Sequence, residues 1–256
     1  MSRRSSRRFS IVLFEEFELL DVAGPLEILS KVEGWDTELL SPDGRPVGAS
    51  QGVRFEVDGS YAQKSGDVLF IPGGLGTRTL ARDEEFLRNL TSMANGASVV
   101  MSVCTGSALL AAAGLLEGYA ATSNKRAFAW ATGFGCDIDW RKSARWVHDR
   151  DRWTSSGVSA GTDMAAAFVA AECGVDVARE VASAIELRLN LDADGTRSLC
   201  SRDSRGAQGG VLLDELGGEY PVSAWTVNTE ASVSDCPGLG RPALGGGDLR
   251  SSLFEL

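Results

Sequence analysis

A cysteine stands where one apolar run gives way to another in VVMSVCTGSALLAAAGLL, residues 99–116. The residues before Cys104 read as a buried strand, and those after Thr105 as an alanine-rich helix. With Gly106 two residues on, the chain can bend sharply enough to expose the thiol above the strand end, as a nucleophile elbow does. The first free N–H groups of the helix point toward the sulfur, and their partial positive charge favours thiolate over thiol. The expected chemistry is nucleophilic attack by Cys104. The competing reading is a small buried core residue, which is what most free cysteines are.

Three further features converge on that junction. IPGG, residues 71–74, ends another apolar run. The backbone N–H groups of Gly73 and Gly74, with that of Thr105, could hold negative charge developing on a substrate atom attacked by Cys104. Asp21 lies in LLDVAGP, an otherwise apolar stretch after the first predicted strand. An acid is costly there unless used or paired. Beside the sulfur its pKa would rise, and it could then give a proton to substrate; a helix N-cap ahead of Pro25 fits the spacing as well. Asp163, in SSGVSAGTDMAAAF, is assigned structural support: capping and close packing against the elbow helix.

These residues need a scaffold that brings distant segments to one edge. SIVLF (10–14), VLFI (68–71) and ASVVMSVC read as buried strands, and WDTELLSP as a further strand. VRFEVDGSYA reads as a pair of short strands, and WVHDRDRWTSSG as a hairpin with His148 near its tip. Helical spacing runs through residues 19–32, TRTLARDEEFLRNLTSMANG, RAFAWATGF, SAGTDMAAAFVAAECG and DVAREVASAIELRL. Strands alternating with helices predict an α/β fold with a mostly parallel sheet covered on both faces.

Composition bounds the partners. The 256 residues are 43% hydrophobic with a formal charge of −10, which repels phosphate backbones and argues against nucleic acid. No apolar stretch reaches a membrane span, and Glu15 and Glu16 interrupt any signal-peptide core. Five cysteines with neither a CxxC pair nor histidine-cysteine spacing support no metal site and no disulfide framework, so a reducing cytoplasm is expected. Residues 1–8 are read as a basic flexible start and 9–190 as one domain. Residues 191–256, with 11 of the 30 glycines, are read as a poorly ordered extension holding at most one short amphipathic element.

In order and separation, LLDVAGPLEIL, VLFIPGG, SVCTGSALLAAAGLLEGYAAT and SSGVSAGTDMA resemble the ThiJ/PfpI superfamily, which shares its fold with class I glutamine amidotransferases. Within it the isocyanide hydratase branch is the most similar. The resemblance covers about residues 9–190 and implies a flavodoxin-like three-layer sandwich, usually a homodimer acting on a small molecule without cofactor. It further implies that Cys104 attacks an isocyanide carbon while Asp21 manages the proton and Thr105 assists, releasing an N-substituted formamide. After the elbow helix, this chain reads Ser123, Asn124, Lys125 where that branch carries a histidine. Asn124 is therefore a candidate substrate contact, and Asn124 and Lys125 are expected to change the polarity of the pocket rim. The same superfamily suggests two alternatives: a glutathione-independent glyoxalase acting on methylglyoxal, and a cysteine redox sensor. Fused helix-turn-helix regulators also share the fold, but residues 191–256 lack the two periodic helices and basic cluster that DNA binding needs.

Overall fold

Val68, Leu69, Phe70 and Ile71 lose all contact with solvent, so this strand is covered on both faces, as its unbroken apolar run requires. It lies mid-sheet in a computed structural model that describes residues 6–62, 66–194, 212–213 and 219–220. The strands are β1 (Arg7–Val12), β2 (Trp35–Ser41), β3 (Val47–Gly48), β4 (Arg54–Phe55), β5 (Gly59–Ser60), β6 (Val68–Ile71), β7 (Val99–Val103), β8 (Tyr119–Ala121), β9 (Ile138–Trp140), β10 (Trp146–Asp149) and β11 (Arg152–Ser155). The helices are α1 (Leu19–Leu29), α2 (Thr77–Leu80), α3 (Glu84–Gly96), α4 (Gly106–Ala112), α5 (Phe128–Ala131), α6 (Ala160–Cys173) and α7 (Val175–Ala184). Residues 212–213 and 219–220 form an antiparallel pair of their own.

The main sheet runs β10-β11-β7-β6-β1-β2-β5, parallel throughout except for the β10–β11 hairpin. Its inner order is the flavodoxin-like one. Two helix groups flank it: α6 packs against α1 and α7, while α4 packs against α2, α3 and α5. Contact between α1 and α6 is close enough that a Cβ on Gly24 would lie 2.2 Å from Thr162 Oγ1. Among the described residues, no helix is long and apolar enough to cross a membrane.

Four details differ from the sequence reading. Strand β1 starts at Arg7, inside the stretch read as a tail: the Arg8 N–H donates to Asp67 at 3.0 Å, and Arg7 Nε to Glu172 at 3.1 Å. The helix expected over residues 77–96 is two, because Asp83 accepts from the N–H groups of Glu85 and Phe86 and caps a fresh start at Glu84. RAFAWATGF keeps one helical turn, and Ile138–Trp140 forms a strand paired with β8. Pro25 lies in the second turn of α1, so the Asp21 carbonyl loses its usual helical donor. The proposed extension, 191–256, falls outside the described residues except for 191–194 and the two short strands.

Candidate active site

Strands β1, β6, β7 and β11 are parallel neighbours, so the segments leaving their carboxyl ends all open on one edge of the sheet. That edge collects Asp21, the Pro72-Gly73-Gly74 turn, Cys104, and Ser155-Ser156-Gly157. Cys104 adopts φ +58°, a conformation that costs a non-glycine residue about 1–3 kcal/mol and persists only when neighbours enforce it. They do. The Cys104 N–H donates to the carbonyls of Ser155 (3.1 Å) and Ser156 (3.3 Å), and its own carbonyl accepts from Ser107 (3.1 Å) and Ser123 (3.0 Å) hydroxyls. Close approach completes the turn: a Cβ on Gly73 would meet Thr105 N at 2.6 Å and Cys104 Cβ at 2.7 Å.

Asp21 is fully buried in the first turn of α1. Glu18, not Asp21, occupies the N-cap position. The Gly73 N–H donates to Asp21 Oδ2 at 2.8 Å, whereas Oδ1 is buried without a conventional partner. The carboxyl is electrostatically coupled to the Cys104 thiol. Burial drives Asp21 up to about 8; the Glu18 charge adds to the rise, and the Gly73 and Cys104 hydrogen bonds oppose it.

Burial also raises the Cys104 thiol, and the Asp21 charge raises it further, against the opposing hydrogen bonds of Thr105 and Asn124. Both effects oppose the thiolate that the helix start favours. Helix α4 is only seven residues long, so the dipole set against that desolvation is short. Each charge opposes the other, so carboxyl and thiol titrate as a coupled pair.

The glycine donors are committed elsewhere. Gly73 N–H serves Asp21, and Gly74 N–H donates to Thr105 Oγ1 at 3.1 Å, so neither is left over as a primary oxyanion donor. Thr105 Oγ1 also lies 3.1 Å from Thr77 Oγ1, which donates to the Gly74 carbonyl at 2.7 Å. Thr77 therefore anchors Thr105, a role with no signal in the sequence. Asn124 Nδ2 donates to Cys104 Sγ at 3.0 Å, and Gly157 lies against the same pair. The only sequence hint of Gly157 is a glycine just past a buried strand.

Lys125 does not form the rim. Its ammonium turns inward to Thr122 Oγ1 (2.8 Å) and to the Ser123 and Ala144 carbonyls, and burial lowers it to about 8. Asp163 supports the site by another route than capping: Arg145 Nε donates to it at 2.7 Å, and the Arg145 carbonyl receives the Ser156 N–H at 2.8 Å. His148 stacks on Trp153 at 3.9 Å near the hairpin end of the sheet, opposite the Cys104 edge.

Comparison with known proteins bears on this arrangement. The chain is 32% identical to an isonitrile hydratase of Pseudomonas putida, over 70% of this chain and 78% of that protein. It is also 32% identical to the HTH-type transcriptional regulator GbdR of Pseudomonas aeruginosa, spanning half of the regulator's length. A ThiJ/PfpI family protein from Pseudomonas syringae superposes with TM-score 0.67 at 29% identity, covering 73% of this chain and 77% of that one. Drosophila melanogaster DJ-1beta shares the fold, with TM-score 0.63 at 21% identity over 72% of this chain and all of its own. The DJ-1/PfpI family pattern matches residues 7–171, from the first residue of β1 into α6, and the chain accordingly belongs to the DJ-1/PfpI family.

Proposed function

We propose that this chain is a cysteine-dependent enzyme that hydrates isocyanides to N-substituted formamides, acting as a cytoplasmic homodimer. One observation carries the reading: a buried carboxyl, held by the Gly73 N–H, faces a thiol on a strained elbow with no histidine among its partners. Chemistry that adds a nucleophile and a proton to one carbon suits that pair. The Cys104 sulfur bonds to the terminal isocyanide carbon, and Asp21 gives that carbon a proton, leaving a thioimidate on sulfur. Water then adds to the same carbon. The C–S bond breaks, the sulfur recovers a proton, and R–NH–CHO leaves, so one isocyanide and one water are consumed.

Two other readings rank below it. A glyoxalase of this superfamily pairs its cysteine with a glutamate and a histidine, and here the sole histidine is committed to Trp153 and the Arg150 carbonyl. The similarity to a transcriptional regulator keeps a non-enzymatic role, such as a cysteine redox sensor, as the other. Incubating the full chain with para-nitrophenyl isocyanide, and separately with methylglyoxal, distinguishes the three. Formamide production that disappears in Cys104→Ala is expected; no isocyanide turnover, or turnover that survives the substitution, overturns the proposal.

A further inference from the structure

Asn124 is oriented without ambiguity. Its Oδ1 accepts from the N–H groups of Arg126 (2.9 Å) and Ala127 (3.1 Å), which leaves the amide nitrogen facing Cys104 Sγ at 3.0 Å. Sulfur is thus the acceptor in this contact, the role a thiolate fills better than a thiol. The contact exists only because residue 157 has no side chain. A Cβ on Gly157 would fall 2.2 Å from Asn124 Nδ2 and 3.0 Å from Cys104 Sγ.

We propose that Asn124 is a catalytic residue that holds the charge of the Cys104 sulfur on the reaction path, and that Gly157 is the residue that keeps this contact open. The need for such a donor arises from the site itself. Burial and the Asp21 charge both oppose the thiolate, α4 is short, and the Gly73 and Gly74 N–H groups serve protein acceptors. An amide has a further merit beside a proton-sharing pair. It neither takes nor gives up a proton near neutral pH, so it stabilises the sulfur without competing with Asp21.

The other charged groups around the sulfur have partners of their own. Glu18 acts on Asp21 from the start of α1, Lys125 binds Thr122, Ser123 and Ala144, and Asp163 is paired with Arg145. Asp21 is therefore the titrating partner of the sulfur, and Asn124 the neutral one. The role holds for whichever electrophile the enzyme accepts, so its test needs no substrate.

The test is the pH dependence of Cys104 alkylation by iodoacetamide in the full chain, read on the Cys104 peptide in a mass spectrometer, with added glutathione as the reference thiol. Asn124→Asp keeps the acceptor for Arg126 and Ala127 but replaces the donor with a charge that repels thiolate. Gly157→Ala leaves Asn124 in the sequence but displaces its amide. Both should move the Cys104 midpoint to higher pH and slow its alkylation near pH 7 by about ten- to a hundredfold, the worth of one hydrogen bond to a charged group, while the reference thiol is unaffected. Midpoints that coincide with wild type in either folded variant overturn the proposal. Because alkylation is independent of isocyanide turnover, failure here is distinguishable from failure of the hydratase reading.

Discussion

Replacing Asp21 with asparagine should make the protein more resistant to denaturant as pH rises, while removing its activity. The carboxyl titrates at 3.8 in an unstructured chain and at about 8 in the fold, chiefly because it is buried. Between those values the folded chain keeps a proton that the unfolded chain has released, so wild-type stability falls as pH rises through the window and levels off above about 8. Each unit is worth about 1.4 kcal/mol, so Asp21 costs the native state roughly 4 kcal/mol by pH 7. Asparagine does not titrate, and its Oδ1 can still accept the Gly73 N–H. Its buried amide protons bring a fixed penalty of about 1–3 kcal/mol, which lowers the whole curve without tilting it. Urea unfolding of both proteins at several values from about pH 4.5 to 8 isolates the slope, because the titrations of groups not coupled to Asp21 cancel in the difference. The account predicts that the variant gains on wild type by about 1.4 kcal/mol per pH unit. Parallel stability curves would refute the claim that Asp21 is held protonated by burial.

The elbow and its buttress make further predictions. Gly73→Ala should destabilise the fold by about 1–3 kcal/mol and abolish turnover, since its Cβ would collide with Thr105 N and Cys104 Cβ; thermal unfolding and the isocyanide assay check both. Arg145→Met strands the largely buried Asp163 carboxylate and should cost about 3–5 kcal/mol in urea unfolding, with Cys104 misplaced through Ser156. Light scattering of the purified chain should give twice the 27.1 kDa mass of one chain; a monomer would remove the homodimer from the proposal.

What could be read from the sequence was local or repeated. IVLF, VLFI and VVMSV announce buried parallel strands because both faces of such strands are apolar, and the Cys104 turn is implied by a strand meeting a helix with Gly106 behind it. Asp21 was legible as an acid out of place. The break at Asp83 had a signal, an aspartate followed by two glutamates, but one helical period runs through it on both sides. Contacts across the fold were not legible. Twenty residues separate Asn124 from the sulfur that it donates to, and nothing in SNKR says that the asparagine turns to the thiol while the lysine turns to carbonyls. Likewise Gly73 and Gly74 look like free donors until Asp21 and Thr105 are found to occupy them. The same holds for the thiol's protonation: a helix start can be read from sequence, but the depth of burial that opposes it cannot.

The most direct test of the shared proton compares two rates in Asp21→Asn. Removing the carboxylate takes away a charge that raises the Cys104 thiol, so Cys104 should be alkylated at lower pH than in wild type. Removing the acid also takes away the proton that the isocyanide carbon must receive, so hydration should fall by about a hundred- to ten-thousandfold. The account predicts these opposite movements in one protein. A variant in which alkylation and hydration decline together, or in which neither changes, would contradict it.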